Sequence, residues 1–160
     1  MFKGLFKKAP VVVRLTAPVS GAIVPLGQLP DPAFQFLGKG VAIQPTEGRI
    51  TAPAAGTISA IFPTKHAVGL TTPEGLDILI HIGINTVELN GEGFTCLVQA
   101  GDRVSVGQVL VEFSLELVQD RATSAVTPVI ITNPELCKAL TLCTEPEAKS
   151  GSTVLLEAEI

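Results

Sequence analysis

The sequence predicts an all-β protein, an antiparallel β-sandwich or closed barrel with one or two short helical segments. Three observations predict it. Fifteen glycines and twelve prolines cut the 160 residues into short apolar runs separated by turn signals. Many of these runs are rich in Val, Ile and Thr, residues that fit a pleated backbone. Finally, Leu-Thr-Ala-Pro-Val-Ser-Gly-Ala-Ile at 15–23 returns as Ile-Thr-Ala-Pro-Ala-Ala-Gly-Thr-Ile at 50–58, so two similar β motifs are expected to pack together. A solenoid needs about three copies to bury a continuous core, and only two are visible.

In chain order, residues 1–10 read as a short leader ahead of a single domain at 11–160. Phe2, Leu5 and Phe6 fall on one helical face with Lys3, Lys7 and Lys8 around them. So short a helix is marginal, and fraying is expected. Strands are expected at 11–16, 21–24, 40–45, 49–52, 56–62, 67–71, 77–82, 94–98, 109–114, 126–132 and 153–158, each bounded by turn residues. The last of these reads as an edge strand after a polar, Gly-containing loop at 144–152. A helix is expected from Asn133, which is placed to cap, with Pro134 in the first turn and Leu136, Leu140 and Cys143 on one face. A single helical turn is expected within 115–122. Eleven short strands without a linker make a sandwich or barrel the natural architecture.

Composition excludes several functions. With 46% hydrophobic and 16% charged residues the chain has a core and is not a disordered tail. A net charge of −4 opposes phosphate backbones, and the absence of Trp and Tyr removes stacking platforms for single-stranded nucleic acid. The uncharged stretch 15–30 is broken by Pro18, Pro25 and Pro30 and falls short of the ~18 apolar residues of a spanning helix. Lys7 and Lys8 interrupt the place where a secretory signal carries its apolar run, so the expectation is a cytoplasmic protein. Cys96, Cys137 and Cys143, an odd number without a CxxC pair, fit neither a disulfide framework nor a thiolate zinc site and read as buried thiols. His66 and His81 are the only histidines, which excludes any mechanism needing three imidazoles.

The strongest local signal is Asp77-Ile-Leu-Ile-His-Ile-Gly-Ile-Asn-Thr-Val-Glu-Leu. Alternation along a strand sends Ile78, Ile80 and Ile82 into the core and Asp77, Leu79, His81 and Gly83 to the opposite face. Gly83 is expected to leave the approach to the His81 ring open. Upstream, Phe62, Thr64 and His66 share a face if the chain stays extended, and the Thr64 hydroxyl is placed to hydrogen-bond one nitrogen of His66 and select its tautomer. Read from the residues alone, a functional histidine pair and two packed histidines stand about level.

These residues resemble the glucose-type enzyme IIA phosphocarriers of the bacterial phosphoenolpyruvate-dependent sugar phosphotransferase system. The resemblance rests on Ala17-Pro-Val-Ser-Gly-Ala-Ile-Val, Gly40-Val-Ala-Ile-Gln-Pro, Ala52-Pro-Ala-Ala-Gly-Thr-Ile, Thr64-Lys-His-Ala, the block from His81 to Phe94, and Leu115 through Thr132, in that order. It implies a sandwich of duplicated hybrid motifs. It also implies a phosphoryl carrier that accepts phosphate from the carrier protein HPr on Nε2 of His81, with His66 assisting and Thr64 orienting it, and passes it to the IIB domain of a sugar transporter. No cofactor is implied. Phe34, Phe62, Leu79 and Ile82 match positions of an apolar docking disc, although alternation places Ile82 in the core. Asp31 and Glu88 match acidic positions that meet arginines of a carrier. Asn85 stands where the family commonly has Asp, and the segment between Phe34 and Gly40 is short.

Two other readings stay open beside this one. A regulatory module, in which phosphorylation of His81 controls docking to metabolic enzymes or transporters, uses the same face. A zinc metallopeptidase of related β architecture needs several His and Asp ligands and is opposed by two histidines without an HxH motif. No intrinsic metal is expected; His66 and His81 hold zinc only if a partner adds a carboxylate. Met1 and the leader favour a free-standing protein.

Overall fold

The computed structural model describes residues 9–160. The leader expected at 1–10 therefore lies almost wholly outside the described residues. Within them the chain forms β1 (Val12–Thr16), β2 (Gly21–Pro25), β3 (Lys39–Pro45), β4 (Arg49–Thr51), β5 (Gly56–Ile61), β6 (Ala67–Thr71), β7 (Asp77–His81), β8 (Phe94–Cys96), β9 (Arg103–Val104), β10 (Val109–Phe113), the helix α1 (Leu115–Arg121), β11 (Thr127–Ile131), β12 (Ala139–Leu142), β13 (Glu147–Ala148) and β14 (Val154–Glu159). The all-β expectation holds, and every expected strand is present within a residue or two of its limits.

The sequence echo becomes a structural two-fold. Thr16 N–H donates to the Pro53 carbonyl at 2.9 Å, and Thr51 N–H donates to the Pro18 carbonyl at 2.8 Å. Each copy of Thr-Ala-Pro thus closes the other. The relation extends to the sheets: an eight-stranded sheet runs β13-β2-β3-β11-β7-β6-β5-β9, flanked by β1-β14-β12 and β4-β10-β8. Reversing the large sheet about the β11–β7 pair exchanges two like halves, and its ladders are antiparallel.

Several expectations around the C-terminal third are corrected. Asn133 does not cap a helix; its Oδ1 accepts from Asp77 N–H at 2.8 Å and its Nδ2 donates to the Gly75 carbonyl at 2.9 Å. Only a 3₁₀ turn, Pro134–Leu136, follows it. The apolar spacing of 136, 140 and 143 imitates a helix, but Ala139–Leu142 gains a ladder against β14 and extends instead. Consequently β14 is the centre of its sheet, not an edge. The loop at 144–152 contains β13, and β9 is its counterpart in the other half; two-residue strands carry no periodicity for a sequence to reveal. The single turn expected at 115–122 is a seven-residue α-helix, capped where Ser114 Oγ accepts from Leu117 N–H at 3.2 Å. The three cysteines are free and half-buried rather than fully buried.

The main core fills the space between the sheets, with Leu15, Ile43, Ile50, Ile80, Leu110 and Leu156 among its fully enclosed members. A second, smaller cluster decides where the site lies. Leu26, Leu29, Phe34, Ala42, Val126 and Ile130 pack on the other face of the large sheet, so β11 is buried on both sides. This cluster draws the segment 26–36 across the sheet beside the end of β7. Among the described residues no helix is long and apolar enough to cross a membrane.

Candidate functional site

His81 closes β7, and His66 immediately precedes β6. The β6–β7 register pairs Ala67 with His81, and Ile82 N–H donates to the His66 carbonyl at 2.6 Å. An ordinary antiparallel ladder therefore sets the two imidazoles side by side, with ring centroids 4.8 Å apart and planes at 75°. Alternation in β7 holds as expected: Ile78 and Ile80 are buried while Leu79 and His81 are half-buried on the opposite face. Ile82 continues the core parity and is 0% exposed, which corrects its expected place in a docking surface.

His66 reaches its position by a turn, not by an extended strand. β5 ends at Ile61, Lys65 N–H donates to the Phe62 carbonyl at 2.7 Å, and Lys65 takes a left-handed φ of 64°. The expected alternation of Phe62, Thr64 and His66 is replaced by this hairpin turn. Its chemical outcome is the same, because Thr64 Oγ1 lies 2.6 Å from Nδ1 of His66. The hydroxyl can give its hydrogen to Nδ1, which leaves His66 with a hydrogen on Nε2.

The partner of His81 is a backbone oxygen. Nδ1 of His81 donates to the Gly83 carbonyl at 2.7 Å. A carbonyl only accepts, so Nδ1 carries the hydrogen and Nε2 keeps its lone pair. Gly83 is thereby part of the site, though not as an open approach: it holds φ 74°, and a Cβ there would lie 2.6 Å from Thr86 Cγ2 and 2.8 Å from the Ser124 carbonyl oxygen.

Burial keeps both rings neutral. His81 is lowered to about 4, chiefly by desolvation; its bond to Gly83 opposes the shift, His66 deepens it, and the charge of Asp31 opposes it. His66 is also lowered, by desolvation first, against its hydrogen bonding at Thr64.

The rings line a shallow depression of about 110 Å³ with Asp31, Phe34, Asn85, Thr86 and Val87. Phe34 stands edge-on to His81 at 4.9 Å, and Phe62 edge-on to His66 at 5.5 Å. Asp31 caps the 3₁₀ turn Pro32–Phe36 through Ala33 N–H at 2.9 Å. Asn85, in a left-handed conformation, donates from Nδ2 to Thr123 Oγ1 at 2.6 Å. Leu79 and Glu88 do not line the depression. Thr86 and Val87 were not singled out by the sequence, and Gly83 was singled out only as an opening beside the His81 ring. The 3.6-residue and two-residue periods give no sign of a turn residue whose backbone oxygen holds the ring. Phe36, two residues past Phe34, is 88% exposed, and Phe62 and Val87 are exposed as well.

Small-molecule sites enclose ~300–1,000 Å³, so 110 Å³ beside two imidazoles admits a small group presented from outside rather than a whole sugar. A larger concavity of about 530 Å³ around Glu47, Arg49 and Glu112 contains neither histidine. Among the described residues no three His, Cys, Asp or Glu side chains gather as a metal site.

Fold and site together define an antiparallel β-protein that carries a neutral histidine pair in an apolar-rimmed surface depression. Known proteins show which family this is. Residues 13–136 match the family model of the phosphoenolpyruvate-dependent sugar phosphotransferase system, EIIA 1. The chain is 45% identical to the PTS system glucose-specific EIIA component of Halalkalibacterium halodurans, over 100% of this chain and 99% of that one. It is 42% identical to the component of the same name in Staphylococcus aureus, over 98% of each. Its fold superposes on glucose permease IIA from Mycoplasma capricolum with a TM-score of 0.84 at 35% identity, covering 91% of this chain and 96% of that one. The chain belongs to the EIIA 1 family, and its role is that of a phosphocarrier component of the sugar phosphotransferase system.

Proposed function

We propose that Nε2 of His81 accepts a phosphoryl group from phosphorylated HPr and passes it to the IIB domain of a sugar transporter, with His66 assisting. The observation that carries this reading is the 2.7 Å bond from His81 Nδ1 to Gly83, because it leaves the Nε2 lone pair available as the nucleophile. In the forward step Nε2 attacks phosphorus, a new N–P bond forms, and the donor's own N–P bond breaks, its electron pair returning to the donor nitrogen. No proton has to leave His81 first, since the ring is already neutral at pH 7. Transfer of this kind needs alignment and charge stabilisation more than covalent assistance. The Nε2–H that Thr64 favours on His66 supplies a donor to the phosphoryl oxygens. Glucose-specific EIIA relatives support a sugar partner of that class.

The same surface serves for docking. Phe62 and Val87 offer exposed apolar area, Phe34 lines the depression, Leu79 lies two residues before His81 on the same face of β7, and Asp31 at the depression with Glu88 outside it would meet basic side chains of the partner. The test is incubation with labelled phosphoenolpyruvate, enzyme I and HPr, followed by mapping of the label. It should fall on His81 as an acid-labile, alkali-stable adduct, and His81→Ala should take none. Label in the His81→Ala protein would overturn the assignment.

A further inference from the structure

The segment that follows α1 takes no part in the phosphoryl step, yet it reaches the turn that orients His81. Ile84 N–H donates to the Ser124 carbonyl at 2.8 Å, and Thr123 N–H donates to the Ile84 carbonyl at 3.1 Å. Together they make an isolated antiparallel bridge between Ile84 and Ser124. The first bond matters most, because the N–H of Ile84 belongs to the same peptide as the Gly83 carbonyl. In a planar trans peptide the N–H and the C=O point in opposite directions. This one peptide is therefore held from both sides: Ser124 takes its N–H, and its oxygen accepts from His81 Nδ1 at 2.7 Å. The Ser124 oxygen lies only 2.8 Å from where a Gly83 Cβ would stand, so glycine is what lets the two segments approach so closely.

Ser124 fixes its own carbonyl through its side chain. Its Oγ accepts from Val126 N–H at 3.1 Å, closing a turn whose ring includes the Ser124 ψ angle. With ψ held, the direction of the Ser124 C=O is held. Behind it, Ala122 N–H donates to the Val118 carbonyl at 2.9 Å and ties the segment to the end of α1.

We infer that Ser124 is a positioning residue: its hydroxyl sets the direction of its carbonyl, the carbonyl holds the Gly83–Ile84 peptide through Ile84 N–H, and that peptide presents the Gly83 oxygen to His81, keeping hydrogen on Nδ1 and leaving Nε2 bare. The consequence for transfer rests on the phosphoryl-carrier reading above; the consequence for the tautomer does not. Removing the hydroxyl leaves the N–H of buried Val126 without its acceptor and frees the Ser124 ψ angle. The carbonyl then swings away from Ile84, and the Gly83–Ile84 peptide loses one of its two anchors. Its oxygen no longer stays on the His81 Nδ1–H, and the ring populates both neutral forms.

The test compares Ser124→Ala, which removes the hydroxyl, with Ser124→Thr, which keeps it. Imidazole ¹⁵N shifts of histidine-labelled protein near pH 7 read the tautomer with no phosphoryl donor present, a readout that a general loss of stability in a folded protein does not move. Hydrogen exchange at the Ile84 amide reads the bridge, and the rate of acceptance from phospho-HPr reads the consequence. The unmodified protein should show His81 with hydrogen on Nδ1 alone and a slowly exchanging Ile84 amide. Ser124→Ala should show mixed tautomers, faster exchange at Ile84 and acceptance about three- to tenfold slower, the loss expected for one hydrogen bond. Ser124→Thr should keep the single tautomer and most of the rate. A folded Ser124→Ala protein with a pure Nδ1–H tautomer overturns the inference, and so does a Ser124→Thr protein with mixed tautomers. If Ser124→Ala does not fold, Ser124→Cys, whose thiol is a weak acceptor, takes its place under the same criterion. If His81 of the unmodified protein takes no label while its tautomer still depends on Ser124, the carrier assignment fails and the positioning role stands.

Discussion

The Nδ1 of His81 donates its hydrogen to the carbonyl of Gly83, 2.7 Å away and two residues further along the chain. The bond is local, but it exists only because the chain turns back on itself at Gly83 through a left-handed φ. A strand continued past His81 would point that carbonyl elsewhere. The nucleophile is thus oriented by the turn that ends its own strand, and four predictions depend on this arrangement and its surroundings.

Gly83→Ala should be costly. The substituted residue would hold φ 74° and place a methyl 2.6 Å from Thr86 Cγ2 and 2.8 Å from the Ser124 carbonyl oxygen. Left-handed backbone strain and overpacking together should destabilise the fold by about 2–4 kcal/mol, read as a lower midpoint in denaturant. Acceptance of phosphate should fall further than stability does. A variant with unchanged midpoint and rate would mean that the turn adjusts freely.

Acid should affect the protein later than an ordinary histidine would. With His81 lowered to about 4, acceptance should stay level from neutral pH to well below the reference value of ~6.5, then fall as the ring takes a proton. The stability effect has a definite sign. The unfolded chain binds this proton at a higher pH than the folded protein, so stability is complete above ~6.5 and declines as pH falls through the window toward about 4. NMR titration of the His81 ring and thermal unfolding across that window check both; a midpoint near 6.5 would contradict the burial.

His66 and Thr64 should act on transfer rather than on acceptance. His66→Gln retains an amide donor and should still take phosphate on His81 but pass it to a IIB domain slowly. Thr64→Val removes the 2.6 Å hydroxyl contact to His66 Nδ1 and should slow transfer by about three- to tenfold. Stopped-flow mixing with a IIB domain separates the two steps. Loss of acceptance in folded His66→Gln would assign the nucleophile to His66.

Asn85→Asp should tune the partner. Asn85 lines the depression with Asp31 and His81, and the Thr123 hydroxyl that now accepts from its amide can donate to a carboxylate. The added charge should speed acceptance from a basic donor by a few-fold at low salt, the gain fading near ~0.5 M as screening shortens. It should also raise His81 from about 4 toward its usual range. Absence of any salt-dependent change would place the donor's positive charge away from Asn85.

Much of the fold was legible because short Val-, Ile- and Thr-rich runs between glycines and prolines have few alternatives to extension. The parity of β7 was legible in the same way: Ile78, Ile80 and Ile82 went inward and His81 outward. That parity also overruled the motif match at Ile82, which is closed off in the core. The echo at 15–23 and 50–58 foretold a pair of packed motifs, and the reciprocal bonds between Thr16 and Pro53 and between Thr51 and Pro18 are what it encodes. Elsewhere the signal misled. The spacing of Leu136, Leu140 and Cys143 suits a helix equally well, and the choice fell to a ladder on residues 156–159 of β14.

By itself the sequence determined which residues face the core, that His66 and His81 are the only imidazoles, and that Thr64 stands close enough in the chain to hold His66. These are properties of alternation and short separation, and any extended chain or tight turn expresses them. Tertiary structure alone decided the distance between the rings, the neutral state of both, and the tautomer of His81. Those depend on the register of β6 against β7, on the cluster around Phe34 that dries the depression, and on the turn at Gly83 that presents its carbonyl to Nδ1. Register, desolvation and peptide orientation are set by contacts between segments distant in sequence or by a single backbone dihedral in a turn, and neither leaves a periodic trace in the order of residues.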